Sequence, residues 1–153
     1  MNRIEKVREL VDEIIMKIPD NEEKRCAYLH LYGVSQACAL LAKKRNENVE
    51  LSVIAGMLHD ISSYATMNLT EHAHKSAEMS KKLLEELKLF SNDEISLVCN
   101  AIYNHSDKLK IDDALDEILK DADVMQHVLY NPLFEMKQHE KERFRCLEEE
   151  LNL

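Results

Sequence analysis

The chain has 153 residues, 45% of them hydrophobic and 32% charged, enough apolar material for one buried core and enough charge to cover it. A formal net charge of -9 argues against a binder of polymeric nucleic acid, which needs a basic face to release counterions, although a local basic pocket could hold one small anion. Cys26, Cys38, Cys99 and Cys146 form no Cys-x-x-Cys pair, Met1 to Leu10 is charged from Arg3 onward, unlike a secretory leader, and no apolar stretch approaches the ~20 residues of a membrane helix. A soluble, reduced, cytoplasmic protein that engages no membrane is therefore expected.

Ile4, Val7, Val11, Ile14, Ile15 and Ile18 recur at helical spacing and predict a first helix that stops at Pro19. Asp20 or Asn21 can cap a second helix running to about residue 45, with His30 near its beginning and Leu29, Val34, Ala37, Cys38 and Leu41 on its buried stripe. Asn48 caps a third, whose Leu51, Ile54, Ala55 and Leu58 share a face and lead straight into His59-Asp60. Residues 62–70 are polar without sustained periodicity, which predicts a loop at a pocket rim before a helix capped by Thr70. Ser91 and Glu94 have the spacing of a capping box for a helix reaching about His105. Asp112 or Asp113 opens another helix through Leu115, Ile118, Leu119, Ala122 and Met125. Asn131-Pro132 separates it from a C-terminal helix expected to pack through Leu133, Phe134 and Leu147. Val and Ile fall almost always at helical spacing, and two Gly and two Pro leave few breakers and no linker or repeat. The expectation is an all-α fold: one compact bundle of about six or seven helices over residues 1–153, with a C-terminal helical extension at about 132–151.

His59 and Asp60 place an imidazole and a carboxylate where a core helix should simply stop. His30 lies upstream, His72 and His105 downstream, and Asp121-Ala-Asp123 supplies later carboxylates. Imidazole nitrogen and carboxylate oxygen suit borderline or hard divalent metals, and an ion with open positions activates water or polarises a phosphoryl group. Adjacent helix residues point about 100° apart, so an ion held by the doublet must lie over the arc between the two side chains. Taken singly, each histidine reads more simply as a surface or helix-end residue. Taken together, His30, His59, His72 and His105 each sit near a predicted helix boundary, so four helix ends can converge on one cavity. His74 is a substitute for His72; His127 shares a helical face with Asp123 and reads as a neighbour of the ligands or a surface residue; His139, amid charges, reads as solvated. Cys38 and Cys99, with apolar neighbours, read as buried inert thiols, and Met57, Met67, Met79 and Met125 as packing.

In this order the residues resemble the HD-domain superfamily of metal-dependent phosphohydrolases, whose pattern is a histidine, a His-Asp doublet and a later aspartate. His30-Leu-Tyr-Gly-Val34 resembles the first motif, Ala55-Gly-Met-Leu-His-Asp-Ile61 the central one and Lys120-Asp-Ala-Asp123 the last. His72-Ala-His-Lys-Ser-Ala77 and Ala101-Ile-Tyr-Asn-His-Ser106 resemble the two further histidine motifs of members that hold two metals. The likeness spans roughly residues 25–130. It implies that His30, His59, Asp60 and Asp123 form a first metal site, that Asp60 bridges, and that His72 and His105 serve a second. Asp121 is the rival to Asp123, which the Ala-Asp pair favours, and is left as an acceptor that could orient a histidine. No Gly-Tyr-Pro signature accompanies the doublet and no regulatory or synthetase domain is expected with it, so cyclic dinucleotide and alarmone specificity do not carry over.

The activity implied is hydrolysis of a phosphate ester or anhydride in a small, nucleotide-like metabolite by metal-activated water, with one or two divalent ions (Mn, Fe, Co, Ni or Zn) and Asp60 helping to accept a proton. Lys75, Lys108 and Lys110 lie near ligand-bearing segments and are the cations available for phosphate, none with an assigned role. Two other functions use the same ligands: a noncatalytic metal-stabilised nucleotide-binding or regulatory module, and a di-iron oxygenase.

Overall fold

The computed structural model describes residues 1–153 and is all-α, with eight helices: α1 (Arg3–Met16), α2 (Asn21–Arg45), α3 (Val49–Leu58), α4 (Ile61–Thr66), α5 (His72–Leu87), α6 (Asn92–Asn104), α7 (Ala114–Tyr130) and α8 (Gln138–Leu151). Their starts follow local chemistry. The side chains of Asp20, Asn48 and Ser91 accept the backbone N–H three residues on, at 2.9, 3.0 and 3.2 Å, and Glu94 returns the bond to the Ser91 amide at 2.8 Å. Asn46, in the left-handed region at φ 58, ends α2.

α4 occupies part of the segment expected to be a loop. Ile61, Ser62 and Ser63 are buried there, and the Ser62 amide donates to Ser76 Oγ at 3.1 Å while the two hydroxyls meet at 2.9 Å. Tertiary pairing with α5, rather than helix propensity, forms this turn and a half. Thr70 does not cap α5: the preceding residue is Glu71, left-handed at φ 52, and no side chain caps the helix. Leu29 turns outward at 41% exposure, because the stripe of α2 that packs runs through Ala27, Leu31, Val34, Cys38 and Leu41 instead. Of the three apolar residues expected to pack at the C-terminus only Leu147 is buried; Leu133 is 94% exposed, and Phe134, 39% exposed, lies in the connection before α8. Met67 is also exposed, whereas Met57 and Met125 are core.

One apolar cluster unites α1 to α3 and α5 to α8 with Ile61 of α4, and includes Val11, Leu31, Leu58, Ala101, Ala122 and Leu147. α2 packs most extensively against α3 and α7, so the three motif-bearing helices are neighbours. No helix is long and apolar enough to cross a membrane. Lys120, fully buried, fixes the start of α7 by donating to Asp112 Oδ2 and to the Lys110 carbonyl, both at 2.7 Å.

Gly56 lets α3 lie against α2. A Cβ there would stand 2.6 Å from Ser35 Cα and 2.9 Å from Ser35 N, both backbone atoms that cannot swing aside. Gly56→Ala should therefore push the helices apart and destabilise the protein by about 1–3 kcal/mol, the usual penalty of overpacking. Urea unfolding measures it, and a wild-type midpoint would show that the contact is not tight.

Candidate metal centre

The side chains of His30, His59, Asp60, His72, His105 and Asp123, drawn from five segments of the chain, meet at one point. His30 comes from the first half of α2, His72 opens α5, and Asp123 lies in the middle of α7. His59 and His105 are the residues that terminate α3 and α6. Asp60 has left helical geometry (φ -116, ψ 18) in the break between α3 and α4. That break lets adjacent residues point into one cavity.

The rings are aimed by their Nδ1 atoms. His59 Nδ1 lies 2.8 Å from the Gly56 carbonyl and His105 Nδ1 2.6 Å from that of Ile102. A carbonyl oxygen only accepts, so each Nδ1 carries the proton and each Nε2 presents a lone pair. His30 Nδ1 similarly faces Gln126 Oε1 at 2.9 Å. Gln126 crosses Gly33 to get there, at a spot where a Cβ would come within 2.8 Å of Gln126 Cγ.

What the Nε2 atoms meet is each other and carboxylate oxygen. His30 Nε2 is 3.0 Å from His59 Nε2, 3.3 Å from Asp60 Oδ2 and 3.5 Å from Asp123 Oδ1; His59 Nε2 is 3.5 and 3.7 Å from the same two oxygens. The other oxygen of Asp60, Oδ1, faces His105 Nε2 at 3.3 Å and His72 Nε2 at 3.6 Å. It is buried with no hydrogen-bond partner.

The charge balance is equally tight. Burial would lower the His30 imidazole, but the hydrogen bond to Asp60 and the charge of Asp123 outweigh it and push it up to about 9. Burial would raise Asp60 and Asp123; the histidines, and Lys108 for Asp123, hold both well below the usual carboxylate range. His105 moves the other way, pushed down chiefly by its burial.

These donors fit divalent metal. At the ~2.0–2.2 Å of metal–nitrogen and metal–oxygen bonds, neighbouring ligands stand about 3 to 3.5 Å apart, and the His30, His59, Asp60 and Asp123 contacts, at 3.0 to 3.7 Å, are close to that spacing. Facing lone pairs and an orphaned buried oxygen are otherwise unfavourable arrangements. The two oxygens of Asp60 divide the donors into two sets.

The remaining candidates separate cleanly. Asp121 orients no histidine: it accepts from Arg45 at 2.7 Å and Arg143 at 2.9 Å. His74 is exposed and stacks on Tyr103, with ring centroids 3.8 Å apart. His139 is exposed. Lys110 pairs with Asp112 on the surface, and Lys108 is buried and engaged, donating to Asp123 Oδ2 and the His105 carbonyl, both at 2.6 Å. Cys38 is buried and its thiol pushed up by burial; Cys99 is pushed up to about 11 by the same cause. Gln126 and Glu140 escaped sequence reasoning as neighbours of the centre, whereas Lys108, read as a cation near the ligand segments, is there but bonds Asp123.

Two small clefts open beside the cage and share Cys26 and Tyr64. One, of about 280 Å3, is lined by Asp60, Ser63, Tyr64, Met67, Leu69 and Glu23; the other, of about 180 Å3, reaches His30, His127 and Tyr130. The largest groove, about 520 Å3 between α2 and α7, is mainly apolar and contains none of the six cage residues.

Comparison with known proteins agrees with this architecture. Residues 27–127 match the model of the HD domain. The crystal structure of a predicted HD superfamily hydrolase from an uncultured Thermotogales bacterium superposes with a TM-score of 0.65 at 20% identity, over 97% of this chain and 88% of that one. No curated protein sequence matches the chain significantly. The fold is thus that of the HD superfamily. The chain belongs to the HD domain family, whose members bind divalent metals.

Removing the Lys108 ammonium would leave Asp123 Oδ2 buried and unpaired. Lys108→Met should cost metal-free protein about 3 kcal/mol in urea unfolding, the scale for breaking one partner of a buried pair. A loss below about 0.5 kcal/mol, typical of a neutral surface change, would mean that the pair does not hold the carboxylate.

Proposed function

We propose that the protein is a metal-dependent phosphohydrolase acting on a phosphate ester or anhydride of a small, nucleotide-like metabolite. The observation that carries this reading is Asp60, whose Oδ2 faces His30 and His59 and whose unpartnered Oδ1 faces His72 and His105. His30, His59, Asp60 and Asp123 would hold one divalent transition ion, and Asp60, His72 and His105 a second, with Mn, Fe, Co, Ni or Zn all compatible with this nitrogen and oxygen set. Bound there, such ions supply Lewis acidity: they polarise a phosphoryl oxygen and lower the pKa of water.

The chain's own residues do the rest. The backbone carbonyls of Gly56 and Ile102 and the side chain of Gln126 keep the Nδ1 protons in place, so the lone pairs stay directed inward. Lys108 orients Asp123 and offsets part of its charge. Water attacks phosphorus as the bond to the leaving oxygen breaks, and Asp60 helps to take up the proton released by the attacking water. The cleft bounded by Asp60, Ser63, Tyr64 and Met67 would receive the organic part of the substrate. No lysine or arginine lines either cleft, so the positive charge that meets phosphate must come from the centre itself.

Metal content measured together with phosphate release from a panel of phosphorylated metabolites tests the proposal. The expected result is bound divalent ion and turnover that Asp60→Ala lowers at least ~100-fold, the lower end of what a positioned base contributes. Because Asp60 lies in a helix break and Ala is a good helix former, the circular dichroism spectrum should stay helical. Wild-type turnover in Asp60→Ala would refute its role. Tight ligand binding without turnover would favour a regulatory module, and oxygen-dependent substrate loss an oxygenase.

A further inference from the structure

α8 lies beyond the region that matches the HD domain, yet it reaches the cage. Glu140 is 4% exposed, and its Oε2 is buried without a partner. A carboxylate is seldom buried unless something pairs with it. Its neighbour is His127, whose buried Nδ1 also lacks a partner and stands 3.6 Å from Glu140 Oε1. The opposite nitrogen of that ring, Nε2, is 3.7 Å from Asp123 Oδ1. The ring stacks on His30, centroids 5.3 Å apart and planes 10° apart. Donor atoms of His30, Asp123 and His127 all lie within 4.8 Å of one another.

The arrangement has a recognisable chemistry. A histidine that gives its Nδ1 proton to a carboxylate is fixed in orientation and has a more basic Nε2, which is how metal-ligating histidines are usually supported. A solvated surface histidine needs neither a buried carboxylate behind it nor a stacked ligand beside it. α8 is also pinned in register one turn further along. Arg143 Nε donates to the Lys108 carbonyl at 2.6 Å and its terminal nitrogen to Glu117 and Asp121, at 2.7 and 2.9 Å. The segment so fixed is the one whose lysine ammonium bonds Asp123.

We propose that His127 is an additional ligand of the ion held by His30, His59, Asp60 and Asp123, and that Glu140 is the positioning residue that aims it. The C-terminal helix then forms part of the metal centre. This rests on the metal-centre reading but not on hydrolysis, and its test needs no substrate.

Metal-stripped full-length protein is titrated with Co(II), followed by its visible absorption, and with Mn(II) by calorimetry. His127→Ala should weaken binding more than tenfold and change the Co(II) spectrum, because a nitrogen ligand is lost. Glu140→Gln, which keeps the volume, should weaken it by about tenfold, as loss of a ligand's supporting partner does, and should shift the spectrum in the same direction. If His127→Ala fails to fold by circular dichroism, the Glu140→Gln spectrum decides alone. Wild-type affinity and spectrum in the folded variants, while His59→Ala no longer binds, would overturn this inference and leave the centre standing. Wild-type protein that binds neither ion would overturn the centre and the inference together.

Discussion

Everything in this molecule turns on where imidazole protons sit. Two main-chain carbonyls and one glutamine oxygen hold Nδ1 of His59, His105 and His30, and those three bonds direct three Nε2 lone pairs into a space already walled by Asp60 and Asp123. Without positive charge that space is electrostatically unfavourable, since lone pairs and largely buried carboxylates repel and are only partly hydrated. A proton meets part of the need, which is why His30 is pushed up to about 9 between its acidic neighbours. A divalent cation meets it more completely. Ligand geometry and charge balance point to the same occupant.

The scaffold serves this by delivering helix ends. A residue at a helix terminus has freedom of direction that one in the middle lacks, and here His59, Asp60, His72 and His105 all lie at or beside termini. Residues in helix interiors are placed by close packing instead. His30 and Asp123 belong to the long α2 and α7, whose spacing and rotation the apolar cluster fixes, with Gly56 allowing α3 to approach α2. Small displacements between helices therefore become errors in donor distance at the centre.

Much of this could be read from the chain. Asp20, Asn48 and Ser91 announced their helices because capping is settled within four residues. His30, His59-Asp60, His72, His105 and Asp123 stood out by order and residue type, and the HD domain match covers all of that span. What escaped was decided at long range. α4 exists because Ser62 meets Ser76; Leu29 and Leu133 face outward because no helix covers them; Asp121 pairs with Arg45, 76 positions away. Gln126 and Glu140 carry no local mark of their contact with the histidines, and His127 offered only its spacing from Asp123.

The central claim is that the Nε2 cage is a metal site rather than a buried polar network satisfied by protons. Anomalous diffraction from crystals of protein loaded with Mn(II) tests it most directly. The account predicts an ion between His30 Nε2, His59 Nε2, Asp60 Oδ2 and Asp123 Oδ1, at about 2.0–2.2 Å from each. Loaded crystals with no anomalous density inside the cage, and the four donors still within hydrogen-bonding distance of one another, would contradict it.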